Sequence, residues 1–441
     1  MTKLDSNEIA DFRTEFLNTA RLRNTQNAVV ENGIKNSIIN QSDVEKYNFT
    51  FSIDVDSNNV MNQQQSGRCW MFSALNFLRF YAAKKHDIKD LEFSPAYLFF
   101  YDKLERANYF YQNIIDTASH PLSDRKVNFL FNTPQQDGGD WMLLVNLVKK
   151  YGLVPNSTMT ESKPALKTNE LNFMFNRKLR NDAMKLRDLV NTHASSEELN
   201  AHLRKMNKEN YNILSIAFGT PPKSFVFEYY DKNKVFHSTG EITPIEFFKK
   251  FVDIDLDNYI ELMNLKSPDY PFDQSYGIDL SNNMVDGQAI RYLNVPMHDI
   301  RHLAIEQLKD GLPVWFACDV LQEWFNPAGL LSVDSYDWNR SFGFKLDNNK
   351  AQRVKYQESM PTHAMLICGV DLEDDRPTKW KVQNSWGPKV GHKGYFIMSN
   401  EWMNQYTYNI VVNKKYLSDK QLEGFEKDPI ELPFWTDMYS K

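Results

Sequence analysis

The stretch from Asn62 to Lys85 constrains this chain more than any other. A polar turn, Asn62-Gln63-Gln64-Gln65-Ser66-Gly67-Arg68, runs into an apolar segment that contains no proline, glycine or acidic residue from Trp70 to Lys85. Trp70, Met71, Phe72, Ala74, Leu75, Phe77, Leu78, Phe80 and Tyr81 leave no polar face on a helix of this length. A helix that is apolar all round belongs in the middle of a fold. Cys69 stands at the join, in the first helical turn. There, unpaired N–H groups and the positive end of the helix dipole favour a thiolate over a thiol. Gln63 lies on the incoming loop, where its amide can turn back toward the sulfur. With the Cys69 backbone N–H it would supply two donors to a developing oxyanion.

A helix-borne cysteine nucleophile needs a base. Thr362-His363-Ala364-Met365 and Gln383-Asn384-Ser385-Trp386-Gly387 each border an apolar run that reads as a strand. His363 would take up and return the proton, and Asn384 would orient its ring. Trp386 would cover the His–Asn bond, and Trp70 would wall the thiol. The expected resting state is a thiolate–imidazolium pair.

Gln63, Cys69-Trp70, His363 and Asn384-Ser385-Trp386-Gly387 together resemble the papain-like cysteine peptidases. The Gln-Gln-Gln-Ser-Gly-Arg-Cys-Trp-Met-Phe run, the His-Ala-Met run and a C-terminal Pro-x-Trp are similar to the bleomycin hydrolase and aminopeptidase C branch, over nearly the whole chain. The resemblance implies an α+β, papain-like two-lobed fold, with a helical lobe bearing Cys69 and a β-rich lobe bearing His363 and Asn384. It also implies that Gly138 and Gly139 pass close to an extended substrate, although a plain helix-entry loop fits the same residues. No cofactor or metal is expected.

Length and spacing add further parts. The chain has 441 residues, too many for a bare two-lobed peptidase. Cys69 and His363 are 294 positions apart (363 − 69), against roughly 130–150 in papain-type enzymes. The expected organisation is an N-terminal extension over 1–60, a helical lobe over 61–155 and a mainly helical insertion over 156–290. A β-rich lobe over 291–425 and a C-terminal arm over 426–441 follow. In the extension, Tyr47 to Ile53 alternates like a strand. In the helical lobe, Ser94-Pro95 starts one helix, and Asp137 to Trp141 opens another that stops at Gly152. In the insertion, Leu179, Ala183, Leu186 and Val190 share a helix face, Phe225 to Tyr230 is a strand, and Thr243 to Glu246 is a capping box. Met297 to Lys309 is a helix, and Pro313–Val320, Ala364–Val370, Lys379–Asn384 and Gly394–Ser399 are strands.

A net charge of -6 and an even spread of Lys and Arg among acids argue against nucleic-acid binding. No apolar run reaches membrane-spanning length, and the first thirty residues read as polar rather than as a signal peptide. Secreted papain-like enzymes carry a disulfide cysteine where this chain has Ser66, so a reducing compartment, the cytoplasm, is expected. Cys318 and Cys368 sit in apolar strand runs and read as inert core residues. His298 and His302 have the four-residue spacing of a shared zinc, but Asp299 stands where that motif has its glutamate and no third ligand is evident. They read as surface or hinge histidines, and His392 as an exposed loop residue.

The family resemblance implies that the C-terminal arm enters the cleft and that the carboxylate of Lys441 meets the substrate's free ammonium. That makes an aminopeptidase acting on short peptides. The tail Pro433-Phe434-Trp435-Thr436-Asp437-Met438-Tyr439-Ser440-Lys441 departs from the branch pattern at Asp437 and Tyr439. An arm lying elsewhere would leave an oligopeptide endopeptidase. An acyltransferase and a non-catalytic assembly protein are the remaining rivals. A homohexamer, with the insertion supplying subunit contacts, is implied by the resemblance alone.

Overall fold

The computed structural model describes residues 3–55, 59–88 and 91–436. Its centre is the cysteine helix, Cys69–His86, with Trp70 to Arg79 buried throughout. Around it pack Pro95–Asp116, capped by Ser94 with proline in its first turn, and Trp141–Tyr151, capped by Asp140 and ended by Gly152 at φ 73°. These helices share one apolar core with the insertion. A second core lies on the far side of the β sheet, between its strands and the helix Met297–Lys309.

The sheet is long and mixed. At its middle the strand His363–Glu373 pairs with Val314–Cys318 on one side and Arg376–Gln383 on the other. The order continues outward through Tyr395–Ser399 on one flank and through Thr407–Asn413 and Tyr259–Met263 on the other. The strand that His363 opens lies against the helix that Cys69 opens, at the seam between lobes.

Two expectations change. The strand expected over Tyr47–Ile53 shrinks to Ile53–Asp54, which pairs with Val370 and Gly369. The alternation upstream reflects aromatic packing, with Phe49 against both Phe51 and His392, rather than a ladder. The helix begun at Pro95 runs to Asp116, and near its end the Tyr111 hydroxyl donates to Asp182 and accepts from Asn210 of the insertion. Finally, Tyr259–Met263 and Gln274–Ile278, counted with the insertion from sequence, are strands of the large sheet. Helices Asn169–Asn191 and Ser196–Phe218, the hairpin of Phe225–Tyr230 with Phe236–Ile242, and the capping-box helix Pro244–Phe251 make up the rest of that segment.

The start of the C-terminal arm is held at the sheet edge. Ile430–Leu432 pairs in parallel with Tyr276–Ile278. Phe434 packs on Phe129, and the Arg125 guanidinium covers Trp435 at 4.1 Å. Asp437 to Lys441, including the carboxylate expected in the cleft, lie outside the described residues.

Candidate active site

The site is built where a helix start, a strand start and a loop converge. Cys69 opens its helix with no side chain capping it, so the first N–H groups stay free to face the sulfur. His363 opens the central strand, and the N–H of its neighbour Ala364 also faces the Cys69 sulfur. Both residues line one cavity of about 530 Å³, together with Gln63, Gly138 and Gly139.

The imidazole is oriented by Asn384. His363 Nε2 lies 2.8 Å from Asn384 Oδ1, which also accepts the Ser385 N–H at 2.7 Å. A backbone N–H can only donate, so that atom is the amide oxygen and Nε2 is the proton-bearing nitrogen. The neutral ring therefore carries its lone pair on Nδ1. Trp386 stacks on the His363 ring at 4.8 Å between centroids, and Trp324 and Phe396 back it at 5.2 and 6.0 Å. Trp386 thus shields the His–Asn bond and is not among the cavity-lining residues, so it supports the ring rather than the substrate.

Burial acts against each charge taken singly. It pushes the Cys69 thiol up and holds His363 down to about 4. The N–H groups of Ala364, Trp70 and Cys69 pull the thiol back down, and Asn384 pulls the ring back up. The expected thiolate–imidazolium pair therefore depends on both charges forming together. One proton transfer makes two opposite charges in contact, and these donors are placed to hold that state.

Gln63 is clamped in the wall. Its Nε2 donates to Ser66 O at 2.6 Å, and its Oε1 accepts the Ser385 hydroxyl at 2.6 Å. One Nε2 hydrogen remains for an oxyanion beside Cys69. The loop beneath is fixed by Arg68, which is fully buried. Arg68 bonds Ser66 Oγ at 2.9 Å, forks onto Glu161 at 3.0 and 2.7 Å, and donates to Ala165 O at 2.8 Å.

The two glycines differ. A Cβ on Gly138 would meet nothing within 4 Å, so its backbone is open to an approaching chain. A Cβ on Gly139 would fall 2.5 Å from the Trp70 indole. Its bareness serves packing, and Trp70 Nε1 bonds Asp137 O at 2.8 Å in the same contact.

Several residues of this site carry no sequence signal strong enough to single them out. Ser385 and Arg68 sit inside recognisable runs, but their roles depend on partners far along the chain. Asn172 and Asn176, on the insertion helix, line the cavity, so the insertion contributes to the site itself. Lys103, fully buried, bonds Asn172 Oδ1 at 2.9 Å and Asp137 at 2.8 Å, bracing the glycine loop. His298 turns to its neighbour Asp299 at 3.0 Å. Cys318 and Cys368 are buried, and burial raises both thiols, Cys368 to about 12.

The Peptidase C1-like family model matches residues 3–439. The chain belongs to that family. Its relatives include an aminopeptidase C of Listeria monocytogenes serovar 1/2a, 42% identical over 439 residues that span 100% of this chain and 99% of the relative. Aminopeptidase C of Streptococcus thermophilus is 42% identical over 100% of this chain and 99% of its own. An aminopeptidase G of Lactobacillus delbrueckii subsp. lactis is 39% identical over 99% of both. The crystal structure of PepW from Lactobacillus rhamnosis HN001 superposes with a TM-score of 0.97 at 43% identity, covering 99% of each chain. The fold is papain-like and the protein is a cysteine-type peptidase.

Proposed function

We propose that this peptidase is an aminopeptidase that releases N-terminal residues from short peptides. The observation that carries the reading is full-length similarity, near 42%, to proteins named aminopeptidase C. Cys69 attacks the scissile carbonyl, Gln63 and the Cys69 N–H receive the oxyanion, and His363 protonates the leaving amine before activating water. Gly138 lies alongside the substrate backbone. The departures at Asp437 and Tyr439 favour one second reading, an oligopeptide endopeptidase with an open cleft.

A fluorogenic peptide with a free N-terminus, compared with its acetylated form, tests both readings, with Cys69→Ala as the blank. Cleavage of the free form alone supports the aminopeptidase. Comparable cleavage of the acetylated form overturns it in favour of the endopeptidase.

Three unpaired cysteines support a cytoplasmic setting. No helix among the described residues is long and apolar enough to cross a membrane. Exposed apolar side chains on the first helix (Ile9, Phe12, Leu17) and on the insertion (Phe173, Ile216) support assembly with further copies, a homohexamer by family resemblance. Light scattering at assay concentration checks it, and a monomer mass would remove the assembly.

A further inference from the structure

The catalytic cavity holds two acidic residues that the protein treats differently. Asp137 is matched within the wall. Lys103 Nζ stands 2.8 Å from it, and Thr168 Oγ1 and Asn172 Nδ2 donate to it at 2.5 and 2.9 Å. Asp140, on the same wall beyond the two glycines, has no such cation. Its Oδ1 accepts the Trp141 N–H at 2.7 Å and its Oδ2 accepts the Tyr292 hydroxyl.

Behind Asp140 lies Glu261, on the strand Tyr259–Met263 and only 2% exposed. Its Oε1 accepts the Met142 N–H at 3.0 Å and its Oε2 accepts Asn409 Nδ2 at 3.3 Å. Its carboxyl stands against that of Asp140. Burial, and then the Asp140 charge, pushes Glu261 well above the usual carboxylate range. Among the described residues no cation acts on Glu261, and Asp140 forms no ion pair. The Asp140 charge is felt at Cys69, where it opposes the thiolate.

An unmatched charge in a low-dielectric wall is costly, and the cost falls when a cation enters beside it. A second feature of the same cavity points to a polar ligand. Gln135 is 5% exposed, lines the cavity, and has no partner for either amide atom among the described residues. Buried amides are seldom left unbonded. A chain with its carbonyl at Cys69 and its backbone along Gly138 would bring its next polar group toward Asp140.

We propose that the Asp140–Glu261 pair is a receptor for a cationic nitrogen of the substrate, either the α-ammonium or a lysine or arginine side chain, and that it selects peptides by that charge. The inference rests on the peptidase reading of the site and deepens it.

Three fluorogenic substrates test it: Ala-, acetyl-Lys-Ala- and acetyl-Leu-Ala-aminomethylcoumarin. They are assayed with the full-length enzyme and with the double variant Asp140→Asn, Glu261→Gln, which keeps hydrogen-bonding groups and removes the charge. Alkylation of Cys69 by neutral iodoacetamide reports on the nucleophile separately. The expected result is a fall of at least tenfold in kcat/KM, carried mainly by KM, on the cationic substrate relative to acetyl-Leu-Ala or, where that is not cleaved, relative to alkylation. Loss on Ala-aminomethylcoumarin identifies the α-ammonium, and loss on acetyl-Lys-Ala identifies the side chain. Equal falls on every readout, or no fall, overturn the receptor. Wild-type enzyme that prefers acetylated substrates would instead overturn the aminopeptidase reading, leaving the receptor to be judged on acetyl-Lys-Ala.

Discussion

Gln63 and Ser385 hold each other twice across the seam between the lobes. The Gln63 N–H donates to Ser385 O at 2.8 Å, and the Ser385 hydroxyl donates to Gln63 Oε1 at 2.6 Å. Gln63, the proposed oxyanion donor, is thereby tied to the residue next to Asn384, which bonds the His363 ring. The ladder continues on both sides, with Asn62 bridged to Trp386 and the Gly387 N–H donating to Met61 O. This splice joins the loop that leads into Cys69 to the segment that follows Asn384.

Removing one hydroxyl from the splice should then act through Gln63. Loss of an oxyanion donor costs about 10²–10³ in kcat, which is the expected effect of Gln63→Ala. Ser385→Ala leaves a buried amide oxygen with one donor fewer, at a cost of about 1–2 kcal/mol, and should lower kcat by roughly tenfold with little change in KM. In the double variant the second change should add almost nothing, because the hydroxyl has no amide left to hold. A double-mutant cycle on kcat checks this. Additive losses would mean that Ser385 acts on the site by another route.

The paired glycines should separate by what each one faces. Gly139→Ala places a methyl in the Trp70 ring and should lower stability by about 1–3 kcal/mol, read as a fall in Tm. Gly138→Ala meets no protein atom within 4 Å and should melt like the wild type. Its methyl would instead stand where a substrate backbone approaches, so KM should rise several-fold. A Gly138→Ala enzyme with unchanged KM would remove Gly138 from substrate binding.

Much of the site is legible in the sequence because its parts are local. Cys69 at the start of an all-apolar helix, Ser94-Pro95, the Thr243–Glu246 capping box and Asn384 beside Trp386 each carry their chemistry within a few residues. What stayed hidden depends on contacts between distant segments. Arg68 reads as the polar end of a turn, yet it is buried on Glu161 and Ala165, over ninety positions away. Glu261 falls in the stretch counted with the helical insertion, and only its bonds from the Met142 N–H and Asn409 bring it behind the cavity wall. The strands near residues 259–278 escape the sequence pattern for a similar reason. Their partners, Thr407–Asn413 and Tyr292–Asn294, lie after the helical segment with which periodicity groups them.

Lys350 should make stability depend on alkaline pH. The side chain is buried, donates to Asn264 Oδ1 at 3.0 Å and to Thr407 O, and lies over the Tyr408 ring at 5.0 Å. Burial, with a smaller push from the Arg353 charge, lowers its pKa to about 7. In the unfolded chain a lysine titrates near ~10.4. Between those values the unfolded state binds the proton and the folded state does not, so stability rises with pH across that window. The contribution is complete above ~10.4 and is lost as pH falls through about 7. Lys350→Met removes the titrating group and the slope with it. Urea denaturation of both proteins at pH 7 and pH 9 should show the wild type gaining about 2–3 kcal/mol relative to the variant at the higher pH. A stability difference that does not change between the two pH values would mean that the Lys350 ammonium stays charged in its buried site.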